Sequence, residues 1–224
     1  MAHESVAQQS GATPVSPAHG ADGVEVLAAP DHLVAPAVAV LGWDGVVLPP
    51  VRLLGRRVVV VAELVGPAHS QRIATGWAPV TDRTSVSTWH WPEMAHLVPP
   101  PAVRLRGLVA PARHWRTGLT ATGPFTGLCA TAMLLPADIA RDVQCLRQAD
   151  RFGPTVVATA GVSDMDPDAV DVVQAGRPGP MPSTRLPVLS RWVHEVVYEQ
   201  LLARRLTPTA GCTPPARGVR GCGR

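Results

Sequence analysis

The strongest constraint on this chain is the run over residues 34–66, VAPAVAVLGWDGVVLPPVRLLGRRVVVVAELVG, in which three short segments rich in Val, Leu and Ala are separated by turn residues. Branched apolar residues in stretches of this length favour strands, and stretches joined by Trp43-Asp44-Gly45 and Gly55-Arg56-Arg57 favour hairpins. The pattern predicts a β-meander with strands over 37–41, 46–54 and 58–64. A chain with this segment is expected to be built on a sheet.

Further strand patterns fall at 24–28, 84–91, 103–110, 128–135 and 155–159. Within 103–110, Val103 and Leu105 alternate with Arg104 and Arg106, which sets both guanidinium groups on one face of the strand, toward water or an anion. A short helix limited by Gly76 is expected over 67–78, carrying His69, Ser70 and Arg72. Two longer helices follow. The first, over 136–152, opens on Pro136, has Asp138 in its first turn, places Ile139, Val143 and Leu146 on one face and stops at Gly153. The second, over 184–205, has an apolar stripe of Leu189, Trp192, Val193, Val196, Val197 and Leu201, with Arg191, Glu195 and Glu199 turned outward. It is expected to pack across the sheet. Residues 1–22 and 207–224, rich in small residues, Pro and Gly, read as disordered tails. The organisation is that of an α+β protein, with a sheet domain over 23–160 and a shortened helical segment over 161–206.

At 224 residues there is room for one good-sized core. The formal charge is +3, but all 20 cations are arginine and they are scattered, whereas a nucleic-acid surface needs them concentrated. No nucleic-acid partner is expected. Lysine is absent, which excludes lysine Schiff-base chemistry, and its absence together with that of asparagine suits GC-rich coding. No basic leader precedes an apolar stretch at the start, and Asp44, Arg52, Arg56 and Arg57 interrupt the most hydrophobic region before it could span a membrane. The expected location is the cytoplasm. Cys129, Cys145, Cys212 and Cys222 form no CxxC pair, and Cys129 and Cys145 are expected to be buried reduced thiols.

Three stretches occur in an informative order. Pro50-Val51-Arg52-Leu53-Leu54, a valine-rich strand at 58–61 and Ser70-Gln71-Arg72 come first. A strand, a proline-rich turn and VRLRGLV follow over 88–115, and Asp166-Pro167-Asp168, Ala175, Arg177-Pro178 and Pro180 then lead to a helix containing Trp192 and His194. In this order they resemble the split β-barrel proteins that bind flavin mononucleotide, the pyridoxamine 5′-phosphate oxidase-like group, in the branch related to haem-utilisation proteins with a C-terminal domain of unknown function. The resemblance covers roughly two thirds of the chain. It implies an antiparallel split β-barrel of about six to eight strands with a packed C-terminal amphipathic helix. It also implies a homodimer with the cofactor near the subunit interface, and Arg52, Ser70 and Arg72 as contacts of the cofactor phosphate. Flavin mononucleotide is the first cofactor it suggests and haem the second.

The residues themselves leave alternatives. From the residues alone, Arg52 and Arg72 read first as solvated charges or as partners of Glu63 or Asp82. His194, one helical turn before Tyr198, is a candidate haem ligand, with a partly exposed helix histidine as the plain alternative. His90, His96 and His114 lie near Trp89, Trp91 and Trp115, yet their spacing is not that of metal ligands. Ser163-Asp164 and Cys129 with His114 lack the elbow that frames a nucleophile, and phosphate-loop and dinucleotide fingerprints are absent. The expectation is a cofactor-binding split-barrel protein in oxidoreductase or haem-handling chemistry. The alternative is a cofactor-free barrel that serves as a structural or protein-interaction module.

Overall fold

The computed structural model describes residues 31–94, 96–159, 169–180 and 187–206. The strand expected at 24–28, both tails and the 163–168 strings lie outside these residues. The apolar run forms a hairpin with one interrupted arm: β1 (Val46–Val47) and β2 (Val51–Leu53) both pair antiparallel with β3 (Arg56–Leu64). A single strand over 46–54 was expected. Leu48-Pro49-Pro50 splits it because proline has no N–H to give a ladder, although the Leu48 N–H still donates to Val60 O at 3.0 Å. Leu54 and Gly55, at φ 50° and 74°, make the two-residue turn, the left-handed backbone that matches the twist of a hairpin.

Among the described residues the sheet has seven strands in the order β1-β3-β4-β5-β6-β7, with β2 beside β3. β3 runs antiparallel to β4 (Val103–Pro111), β4 and β5 (Ala130–Pro136) are parallel, β5 and β6 (Thr155–Thr159) are parallel, and β6 and β7 (Val170–Gln174) are antiparallel. It is an open, mixed sheet in an α+β chain, where an antiparallel barrel was expected. Parallel neighbours need crossovers. α1 (Val34–Val40), α2 (Gly66–Ala74) and α3 (Arg83–Thr88) precede them, and α4 (Trp115–Thr122) then links β4 to β5. α5 (Ala137–Ala140) and α6 (Val143–Phe152) link β5 to β6. The single helix expected over 136–152 is thus two. Asp142 begins the second, its carboxylate accepting from the Gln144 and Cys145 N–H groups at 2.6 and 3.0 Å.

Alternation in the strands builds two apolar faces. Val58, Val60, Leu108 and Ala110 pack with Phe125, Leu128 and the long helix α7 (Pro187–Leu206), while Met133, Leu135, Val156 and Ala158 pack with α4, α5 and α6. On the reverse face Val59, Val61, Val109, Ala132, Leu134 and Val157 meet α1. The strand expected at 37–41 is therefore a helix. Pro36 sits in its first turn, where a missing N–H costs no helical bond, and Val34, Ala37 and Val38 share the buried side. The strand expected at 84–91 is likewise a helix, α3, because the Asp82 carboxylate caps it, accepting from Ser85 N–H at 2.6 Å and Ser85 Oγ–H at 2.7 Å.

Trp43 lies flat on the reverse face at Gly107, where an added Cβ would stand 2.1 Å from Trp43 Cε3. Replacing Gly107 with alanine should overpack this contact and destabilise the fold by about 1–3 kcal/mol in urea unfolding. In a Trp43→Ala background the same replacement should cost much less. Equal costs in both backgrounds would show that the ring does not set the requirement for glycine.

Candidate functional site

Arg52, Ser70 and Arg72 do not come together. Arg52 is exposed beside the β2–β3 turn, its Nη1 reaching Gly55 O at 3.5 Å, and Ser70 is exposed on α2. Arg72 is 1% exposed, and its guanidinium is already bound. Nη1 and Nη2 donate to the two Glu195 carboxylate oxygens at 2.7 and 2.8 Å, Nη2 also to Ala78 O at 2.9 Å, and Nε to Trp77 O at 3.4 Å. Its face lies over the Tyr198 ring at 4.7 Å. A phosphate would have to displace a buried bidentate carboxylate, so these three residues do not fit the phosphate of a flavin.

The partner of Arg72 is one the amphipathic pattern assigned to solvent. Glu195 is fully buried, and Arg191 is 90% buried, its side chain retaining 10% exposure. The reason is tertiary. The chain between α2 and β4 folds over the outward face of α7, where α3 packs, so the helix is covered on both sides. Val80 N–H donates to Glu195 Oε2 at 3.1 Å, Trp192 Nε1 to Thr81 O at 2.8 Å and Arg191 Nη2 to Pro99 O. Arg191 also lies over Trp89 at 4.8 Å.

His194 occupies the flank of α7 and helps line a cleft of about 560 Å³. Its other walls are Val65, Pro101, residues 103–106 of β4, Leu128, Gly179-Pro180 and Ser190. His194 Nδ1 lies 2.7 Å from Ser190 O. A carbonyl only accepts, so Nδ1 carries the proton and Nε2 of the neutral ring keeps a lone pair for the cleft. Burial, reinforced by the charge of Arg191, holds the imidazole pKa below its ordinary value and keeps this neutral form. On β4, Arg104 Nη1 and Arg106 Nη2 each donate to Glu63 at 2.8 Å. Hydrogen bonding from Arg106 and the charge of both arginines lower the Glu63 pKa. Two guanidinium groups against one carboxylate leave one positive charge in excess.

This arrangement can hold an anion and can accept one hydrogen bond, or offer one nitrogen to a metal centre. No group of three or more His, Cys, Asp or Glu residues among those described is placed to hold a metal ion. His90 follows α3 instead of lying on the strand expected at 84–91, and His114 precedes α4. Cys129 and Cys145 are free and buried, their thiols pushed up by burial to about 12 and about 11, so they remain protonated and inert. Among the described residues no helix is long and apolar enough to cross a membrane.

Arg72→Ala should leave Glu195 buried with only part of its compensation and lower stability by about 3–5 kcal/mol in urea unfolding. A loss within the range of a surface ion pair would mean that the carboxylate escapes to water. For His194, the folded ring takes up a proton less readily than the unfolded one, whose pKa is about 6.5. Its contribution to stability is therefore complete above that pH and declines as pH falls from there through the lower folded-state value. An unfolding series between about pH 5 and 8 should show this decline in the parent and lack it in His194→Gln. An identical pH dependence in the two would place the titration elsewhere. The chain matches no family model, no curated protein and no solved structure, so its functional reading rests on this geometry.

Proposed function

We propose that the protein is a binding module that takes its partner into the cleft between the first half of β4 and α7. The observation that carries this reading is one cleft lined by His194, by residues 103–106 with Arg104 and Arg106 among them, and by the apolar Val65 and Leu128. Binding sites commonly combine apolar walls with a few placed polar groups in a cleft of this size. The partner is recognised by its negative charge and by a donor that meets His194.

A second reading keeps the cofactor, and His194 is the observation in its favour. Haem would be held through His194 Nε2 and through carboxylates on Arg104 and Arg106, and its iron would supply redox chemistry. A flavin would have to place its phosphate on the same two arginines, since Arg72 is committed to Glu195. A homodimer belongs to this reading as well.

The test is titration of the full chain with sodium acetate, flavin mononucleotide and haemin, followed by backbone NMR and visible absorption. Acetate should shift the amides of residues 103–106 and 190–194, and Arg106→Ala should abolish the effect. A haem Soret shift lost in His194→Ala would favour the cofactor reading over the cofactor-free module. If none of the three probes perturbs the cleft, the binding reading is wrong.

A further inference from the structure

The cleft has a backbone wall that small ligands do not need. On its β3 side β4 is laddered from Val103, which pairs with Leu64, through Arg104 with Glu63 and Leu105 with Ala62. On its β5 side the ladder begins only at Gly107, opposite Ala130. Among the described residues no strand pairs with residues 103–106 on that side, so they form an edge there, although the strand they start lies inside the sheet. Alternate residues of a strand direct their N–H and C=O groups to one side, so this stretch presents about two residues' worth of donors and acceptors away from β3. Arg106 is also the extra residue of a bulge, since Val61 faces Gly107 while Ala62 faces Leu105. The edge forms one side of the cleft, and Ser190 and His194 of α7 stand on its rim.

We propose that the occupant of this cleft is an extended peptide segment carrying an acidic side chain, which adds as a short strand to residues 103–106 of β4. The proposal rests on the cleft being the binding site and adds the class of partner. Two observations select it. An unladdered strand segment is completed by another backbone, the basis of recognition by strand addition. The excess positive charge of Arg104 and Arg106 over Glu63 then calls for a carboxylate on that backbone, and neutral His194 accepts from a hydroxyl or amide of the same segment. The open edge is about 13 Å long at strand spacing, enough for four peptide residues.

The test uses the full chain and a pooled library of seven-residue peptides built from Thr, Val, Ser and Gln, with glutamate fixed at the centre. Comparison pools carry lysine at the centre, or glutamate with alternate backbone nitrogens methylated. Binding of the glutamate pool should slow hydrogen exchange at residues 103–106, and both comparison pools should bind at least about tenfold more weakly, as should the glutamate pool to Arg106→Glu. Equal binding of the methylated pool overturns strand addition, and equal binding of the lysine pool overturns the acidic requirement. Full exchange protection of residues 103–106 without any peptide means that the chain itself or a second copy covers the edge, which also overturns the proposal. If acetate perturbs the cleft and no pool does, the peptide class falls while the binding cleft stands. If neither does, both fall.

Discussion

Four nitrogens converge on the fully buried carboxylate of Glu195: Nη1 and Nη2 of Arg72, Nη2 of Arg191 and the backbone N of Val80, at 2.7 to 3.1 Å. They come from α2, from α7 itself and from the chain that follows α2. No apolar contact could join these three pieces with the same register, because a carboxylate and a guanidinium fork meet in one orientation. The position of α7 against β3 and β4 depends on this knot. So does the cleft, since Ser190 and His194 reach it only if the helix keeps its rotation.

Such a buried pair is weak evidence for stability in itself, because well-packed apolar residues can do as well or better, but losing one partner is expensive. Its value here is specific placement. α7 presents a core stripe of Leu189, Val193, Val197 and Leu201 to the sheet, and that stripe alone would tolerate rotation by part of a turn. Glu195 and Arg191 on the opposite side forbid it, and they do so in company with Trp192, whose indole N–H is fixed to Thr81 O. The helix is held from two directions, which is what a site built on one of its flanks requires.

Burial in the strands was legible in the sequence; topology was not. β3, β4, β5 and β6 stand where apolar runs of strand length stand, and α7 follows its stripe, because these signals are local and strong. α1 and α3 were misread as strands since Val, Ser and Thr suit both periods over six or seven residues. The deciding signals were there to read at α3 and α6, in Asp82 three residues before Ser85 and in Asp142 before Val143. The parallel pairing of β4, β5 and β6 depends on crossovers whose first helix, α4, carries only a short and interrupted apolar pattern. The pairing of Arg72 with Glu195 spans 123 positions and leaves no mark in either neighbourhood. Charged residues on a helix face are ordinarily solvated, so only the path of the intervening chain could reveal that these were not.

The arginines of this chain show how far burial decides the use of one side-chain type. Arg72 is wholly enclosed and spent on structure, with four donated bonds and a stacked ring. Arg104 and Arg106 share one acid and remain half open, with 59% and 38% of their side chains exposed. A ligand meeting Arg72 must first strip a carboxylate from it, while a ligand meeting Arg106 only joins Glu63 on a guanidinium with donors to spare. The sequence places Arg72 two residues after a serine and Arg106 in a plain alternating strand, and on motif alone the first looks like the anion site. Desolvation reverses the order. Arg104 and Arg106 keep donors in the open, while those of Arg72 are spent on Glu195 and on backbone carbonyls.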